Sequence, residues 1–215
     1  MEVLQIVYIS CLSITTLKAI VLGWKYTFPA QNYLGIYLIG TLSLEVFGEI
    51  KAYLKQFDFA VYYNVYAIFC ILFFGIYFSK IYIGNFKRMG LFVSFILLSY
   101  CFIFIDILST KFLPQLGILV ALFYIFNSIL WFYQKLQIPV EGKITDDQNF
   151  WISTALLFWS TYIIFRFTPM YLFEKEDLFF LTILRKISSI VNFIMYALFY
   201  YALIKYERIA KTSTK

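Results

Sequence analysis

The sequence has no histidine in its 215 residues. Histidine is the side chain best suited to act as a base near neutral pH, and it is the commonest metal ligand. Its absence excludes the usual zinc-hydrolase and histidine-triad chemistries together. Cysteine is scarce, and Cys11, Cys70 and Cys101 each lie alone inside an apolar run. Without a close pair there is no zinc or redox motif, and the three thiols read as small buried side chains. There is no glycine-rich phosphate loop, no glycine-flanked serine nucleophile and no pair of aspartates placed to face each other. The expectation is a chain that is not an enzyme and that needs no metal and no cofactor.

Charge is also scarce. Only 14% of residues are charged and 62% are hydrophobic, whereas a soluble domain carries about a quarter charged residues. A soluble chain of this size exposes too much surface to hide that apolar excess; a lipid solvent removes the conflict. Aromatic residues make up 23%, in keeping with side chains that tolerate both acyl chains and the headgroup boundary. The net charge of +6 is spread over short loops and the C-terminal tail rather than gathered into a basic domain. It points to membrane lipid as a partner and away from nucleic acid.

Seven runs approach the length of about 20 residues that a helix needs to cross a bilayer. They fall near residues 3–22, 31–53, 59–79, 89–105, 112–133, 149–165 and 178–204. They are apolar on all sides and too long for barrel strands. The expected fold is therefore all-α, a polytopic membrane protein forming one bundle of seven transmembrane helices, with no loop long enough for a second domain. The first segment lacks a basic leader and a small-residue cleavage site, and reads as a retained helix.

Lysine and arginine outside these spans divide unevenly. The side that holds the N-terminus carries five: Lys51, Lys55, Lys111, Arg166 and Lys175. The opposite side carries ten, including Lys25, Lys87, Arg88, Lys135 and the tail lysines. The positive-inside rule then puts the N-terminus outside and the C-terminus in the cytoplasm. Trp24, Trp131 and Trp151 fall near the cytoplasmic boundary, as an aromatic belt would, and Glu174, Glu176 and Asp177 fall outside.

Ionisable residues within a span are costly and so mark sites. The second span holds Glu45 and Glu49, four residues apart on a face shared with Thr41 and Gly48. The seventh holds Arg185 and Lys186, and Arg185, Ser189, Asn192 and Tyr196 form one polar stripe. Asn64 opens the third span at a similar depth. Glu45, Glu49, Asn64, Arg185, Lys186 and Asn192 are the candidate residues of an outward-facing polar pocket for a small ligand, with Glu45 and Arg185 expected to pair. Two plainer readings stand beside it: an ion pair between helices with no ligand, or charges that only mark helix ends at the headgroup boundary. Asn127 and Asn192, near mid-membrane, are expected to hydrogen-bond to neighbouring helices, Lys18 to snorkel to the interface, and Tyr62, Tyr63 and Tyr66 to pack. An echo between Tyr66–Phe69 and Tyr196–Phe199 is not matched elsewhere, so it reads as chance rather than an internal repeat.

The stretch Tyr37-Leu38-Ile39-Gly40-Thr41-Leu42-Ser43-Leu44-Glu45, followed by Tyr63-Asn64-Val65-Tyr66, resembles small seven-helix membrane proteins of Bacteroidetes, as does Asn192–Phe199. Those proteins carry an acidic residue late in helix two and a Tyr-Asn pair opening helix three, and are often encoded near histidine kinases. The resemblance implies a bacterial inner membrane and a sensory role; it supplies no ligand. The leading expectation is a sensory or accessory signalling module that receives a small ligand from outside and acts on a protein partner at its cytoplasmic face. The alternative is a small-solute or ion transporter or channel, and a third reading is an intramembrane enzyme.

Overall fold

A computed structural model describes residues 3–26, 30–54, 60–111, 113–138, 142–173 and 178–213. Lys55, Glu174, Lys175, Glu176, Asp177 and Lys215, read above from the sequence, lie outside the described residues. The described residues form seven α-helices, one short 3-10 turn and no strand. The helices are α1 (Val3–Lys25), α2 (Ala30–Tyr53), α3 (Ala60–Ile81), α4 (Asn85–Phe104), α5 (Pro114–Gln137), α6 (Gln148–Phe173) and α7 (Leu178–Ser213), with the turn at Ile144–Asp146 between α5 and α6. All seven are long and apolar enough to cross a membrane. The chain is a multi-pass helical membrane protein by length and composition. With seven crossings its termini lie at opposite ends, here called the N-side and the C-side.

Several helices run past the expected spans because apolarity, which sets the span, does not set the cap. α4 starts four residues early at Asn85: Gly84 takes a positive φ of 58°, a turn that suits glycine, and the polar Asn85–Arg88 segment forms the first helical turn. α5 starts at Pro114, whose missing N–H costs nothing in a first turn. α7 continues nine residues beyond the expected end at Ile204, to Ser213. It is roughly 54 Å long at 1.5 Å per residue, well over a hydrocarbon core of about 30 Å.

Six helices close a ring in the order α1, α2, α3, α5, α6, α7 and back to α1, while α4 packs outside against α3 and α5. In this ring α2 stands opposite α6. The contacts are close where residues are small. A Cβ added to Gly75 on α3 would lie 2.9 Å from the Ser94 hydroxyl on α4, and one added to Gly90 on α4 would lie 2.7 Å from the Tyr82 ring. Within the helices, the hydroxyls of Thr15, Thr16, Thr41 and Ser94 donate to carbonyls four residues back, so none is left unmet in an apolar surrounding.

The bundle interior toward the C-side is filled with rings. Phe74 on α3 meets Tyr37 at 4.9 Å and Tyr124 at 4.9 Å between centroids. Phe74, Tyr77, Phe78, Phe199 and Trp131 are almost wholly buried. Trp131, toward the C-side end of α5, lies in the core because its face of the helix turns inward. Trp24, in contrast, is exposed.

Below the rings the C-side is tied by polar contacts. Gln134 accepts from the Ile83 N–H at 3.0 Å and donates to the Ile81 carbonyl at 3.3 Å, capping the end of α3. Tyr77 donates to Asn149 at 2.7 Å. Lys18 pairs with Glu207, which also pairs with Lys211 at 2.8 Å. Lys135 meets Asp147 at 2.8 Å and Lys205 meets Asp146 at 2.7 Å. The Lys205 hydrogen bond holds the Asp146 carboxyl below its usual range. A depressed carboxylate keeps its pairing above its ordinary pKa and loses it as pH falls, so the link is intact at neutral pH. Asn127 receives the Tyr82 hydroxyl on its carbonyl at 2.7 Å, which fixes the turn between α3 and α4.

Gly90→Val is expected to lower stability by about 1–3 kcal/mol through overpacking against Tyr82. Gly35→Ala, whose added carbon would meet Ala19 at an ordinary 3.7 Å, is expected to be neutral or stabilising by about 0.5–1 kcal/mol. Thermal unfolding in detergent, followed by size-exclusion chromatography, separates the two.

Candidate functional site

The N-side half of the ring is not filled. A cavity of about 1000 Å³ lies between α1, α2, α3, α5, α6 and α7, at the upper end of the range for small-molecule sites. It reaches the N-side ends of the helices at Gln5, Glu49, Ala60 and Arg185, and the α4–α5 loop at Thr110. It ends among Tyr37, Cys70, Tyr124 and Tyr196, on top of the aromatic layer at Phe74.

Helical spacing explains the walls. Thr41, Glu45 and Glu49 recur every four residues on α2 and line one side. Arg185, Ser188, Ser189, Asn192 and Tyr196 line another from α7. On α6, Trp159, Ile163 and Arg166 share a face and complete the wall opposite α2.

The expected pair between Glu45 and Arg185 does not form; among the described residues neither carboxylate of α2 has an arginine within ion-pair distance. The reason is the ring order. α1 stands between α2 and α7, and it offers nearer partners. Tyr8 donates to Glu45 at 2.9 Å, and the Gln5 amide donates to Glu49. The two carboxylates are therefore held against α1 and lie within electrostatic reach of each other.

The cationic wall is built differently. Arg166, half-buried, donates from Nη1 to the Ser188 hydroxyl at 2.7 Å, while its Nε is buried without a partner. Tyr162 donates to the Leu184 carbonyl at 2.7 Å and lies 3.1 Å from the same serine, joining α6 to α7. Arg185 lines the cavity but is exposed, as is Lys186, which does not line it. Lys186 thus leaves the candidate set, since its neighbour Arg185 takes the inward face. Asp106 is exposed beyond α4.

Asn64 lines the cavity and is fully buried, but its amide is spent on structure. It donates to the Ser109 and Lys111 carbonyls at 3.2 and 3.1 Å and accepts from the Leu113 N–H at 3.2 Å, pinning the α4–α5 loop. Asn192 accepts from the Trp159 indole N–H at 2.8 Å, the expected bond between helices, and its NH2 end remains a donor beside the cavity. Tyr66 shares a 2.6 Å hydrogen bond with Thr41. The Tyr124 hydroxyl is buried near Tyr37 and Cys70 with no hydrogen bond of ordinary geometry.

Sequence reasoning missed Gln5, Tyr8, Tyr124 and Trp159, and it put Arg166 at the outer end of the sixth span, in the layer of the pocket, without making it a candidate. The signal for the α6 wall was present in the seven-residue step from Trp159 to Arg166, which returns to the same helix face. No group of three or more potential metal ligands occurs among the described residues. No protein-family model, no curated protein and no solved structure matches the chain.

Two substitutions test the assignment of partners. Arg185→Leu is expected to leave stability within about 0.5 kcal/mol of the parent, as for an exposed charge. Asn64→Leu is expected to cost about 2–4 kcal/mol, from three hydrogen bonds worth about 1 kcal/mol each, with the Ser109 and Lys111 carbonyls and the Leu113 N–H left unpaired. Chemical or thermal unfolding in detergent reads both.

Proposed function

We propose that this chain is a sensory or accessory signalling module of a bacterial inner membrane, with its N-side facing outward, which binds a small ligand in the N-side cavity and acts through a separate protein at the C-side. The observation that carries this reading is the blind shape of the cavity. It meets the N-side surface, and its polar walls stop at Tyr196 and Tyr124. Beneath lie Phe74, Phe199 and Leu203, each at 0% exposure. A transporter needs a polar route continuing to the other face; here the next layer is apolar and fully buried, and the C-side is tied by ion pairs.

α7 supports the coupling. The same helix lines the cavity through Asn192 and Tyr196 and runs on to the C-side through Lys205 and Lys211. The cytoplasmic placement of that end rests on the ten basic residues of its side against five on the other. A ligand that binds two arrangements of α7 with different affinity would shift their populations, and the C-terminal end would carry the difference to its partner.

The test uses Ser189→Cys in a chain whose Cys11, Cys70 and Cys101 are replaced by serine or alanine. In oriented proteoliposomes a membrane-impermeant thiol reagent should label Cys at 189 from the N-side only. Labelling from the C-side would favour the transporter and overturn the sensor. Affinity purification in mild detergent should also retain a second protein, and a chain that consistently purifies alone would remove the partner from the proposal.

A further inference from the structure

The charges around the cavity are segregated. Glu45 and Glu49 sit on α2, held by Tyr8 and Gln5 of α1. Arg166 sits on α6, opposite α2 in the ring, with Arg185 beside it on α7. The arginines lie within electrostatic reach of each other. Two acids and two bases thus line one cavity without meeting, and Arg166 Nε is buried without a partner. Between the charged walls the lining is aromatic: Tyr37, Tyr66, Tyr124, Trp159 and Tyr196.

Each kind of occupant fares differently here. A simple anion that meets Arg166 also shares the cavity with two carboxylates, whose repulsion weakens its hold. A simple cation at Glu45 faces the arginines. Water alone would leave both walls separated and the aromatic floor wet. A molecule with a positive end and a negative end satisfies both walls at once, and its middle covers the rings. A dipeptide or tripeptide has charged termini roughly 7–10 Å apart at about 3.3–3.6 Å per residue, and either is small enough to enter a cavity of about 1000 Å³.

Resting on the reading of the cavity as a ligand site, we infer that its ligand is an elongated zwitterion, with an ammonium end held at Glu45 and Glu49 and a carboxylate or phosphate end held at Arg166 and Arg185. This chemistry has two sources, a free short peptide and a zwitterionic lipid headgroup such as phosphoethanolamine. Asn192, which lines the cavity and accepts from Trp159, is placed to hydrogen-bond the middle of either through its NH2 end.

Trp159 lines the cavity, so its fluorescence reports occupancy, with Trp159→Phe as the control that abolishes the response. The probes are trialanine, N-acetyl-trialanine, which keeps only the negative end, and trialanine amide, which keeps only the positive end. They are titrated into the full chain in detergent free of phosphatidylethanolamine. A parallel arm compares nanodiscs of phosphatidylglycerol with and without phosphatidylethanolamine. Trialanine is expected to bind at least tenfold more tightly than either blocked form. Glu45→Gln with Glu49→Gln should erase its advantage over the acetylated peptide, and Arg166→Gln its advantage over the amide. Should either change prevent folding, Glu49→Gln and the exposed Arg185→Gln alone should give the same signs at smaller size. A response to phosphatidylethanolamine and not to peptide supports the inference and assigns the lipid source. A blocked peptide that binds as tightly as trialanine overturns the zwitterion while leaving the cavity reading intact. Silence of Trp159 toward both peptide and phosphatidylethanolamine overturns it as well, and one-sided labelling at Ser189→Cys still reports separately on the cavity.

Discussion

The layer of rings around Phe74 is the constraint on which the rest of the bundle depends. Phe74 lies between Tyr37 of α2, Tyr124 of α5 and its own-helix neighbours Tyr77 and Phe78. Edge-on and offset contacts of this kind add about 0.5–1.5 kcal/mol each to the burial itself. In a lipid solvent burial of apolar surface gives little advantage over exposure to acyl chains, so close packing and polar contacts must set how the helices meet. The rings supply that packing at mid-bundle. The same layer is the floor of the cavity and the seal of the C-side half.

Polar groups on the two sides of this layer are treated in opposite ways. On the C-side each described carboxylate finds a lysine: Glu207 with Lys18 and Lys211, Asp147 with Lys135, Asp146 with Lys205. On the N-side Glu45, Glu49, Arg166 and Arg185 surround one space without pairing. Breaking such a set into two walls is costly in an apolar setting. The cost is reduced by neutral donors, Tyr8 and Gln5 for the acids and Ser188 as the acceptor for Arg166. Charges kept apart by neutral partners remain available to something else.

The spans were legible because they depend on a local quantity, twenty or so apolar residues in a row. The stripe on α7 was legible for the same reason: Arg185, Ser189, Asn192 and Tyr196 share a helix face whatever lies opposite. What lay opposite was not legible. Opposite charge suggested that Glu45 would find Arg185, but neighbours are set by ring order, and α1 intervenes with Tyr8. Asn64 lines the cavity, yet its partners come from a loop more than forty residues on. Trp131 shows the same limit, since its position along α5 says how deep it lies and not which way it faces.

The composition of α7 gives its length a mechanical meaning. Across 36 residues it contains neither glycine nor proline, the two residues at which long helices usually bend. Neither residue interrupts it between the cavity and the C-side. A shaft of this kind cannot wrap around what touches it at Asn192. It can tilt, slide or turn as a whole, and since each residue is fixed at about 100° from the next, a turn made at Asn192 is delivered with the same angle at Lys211, far on the other side of the floor.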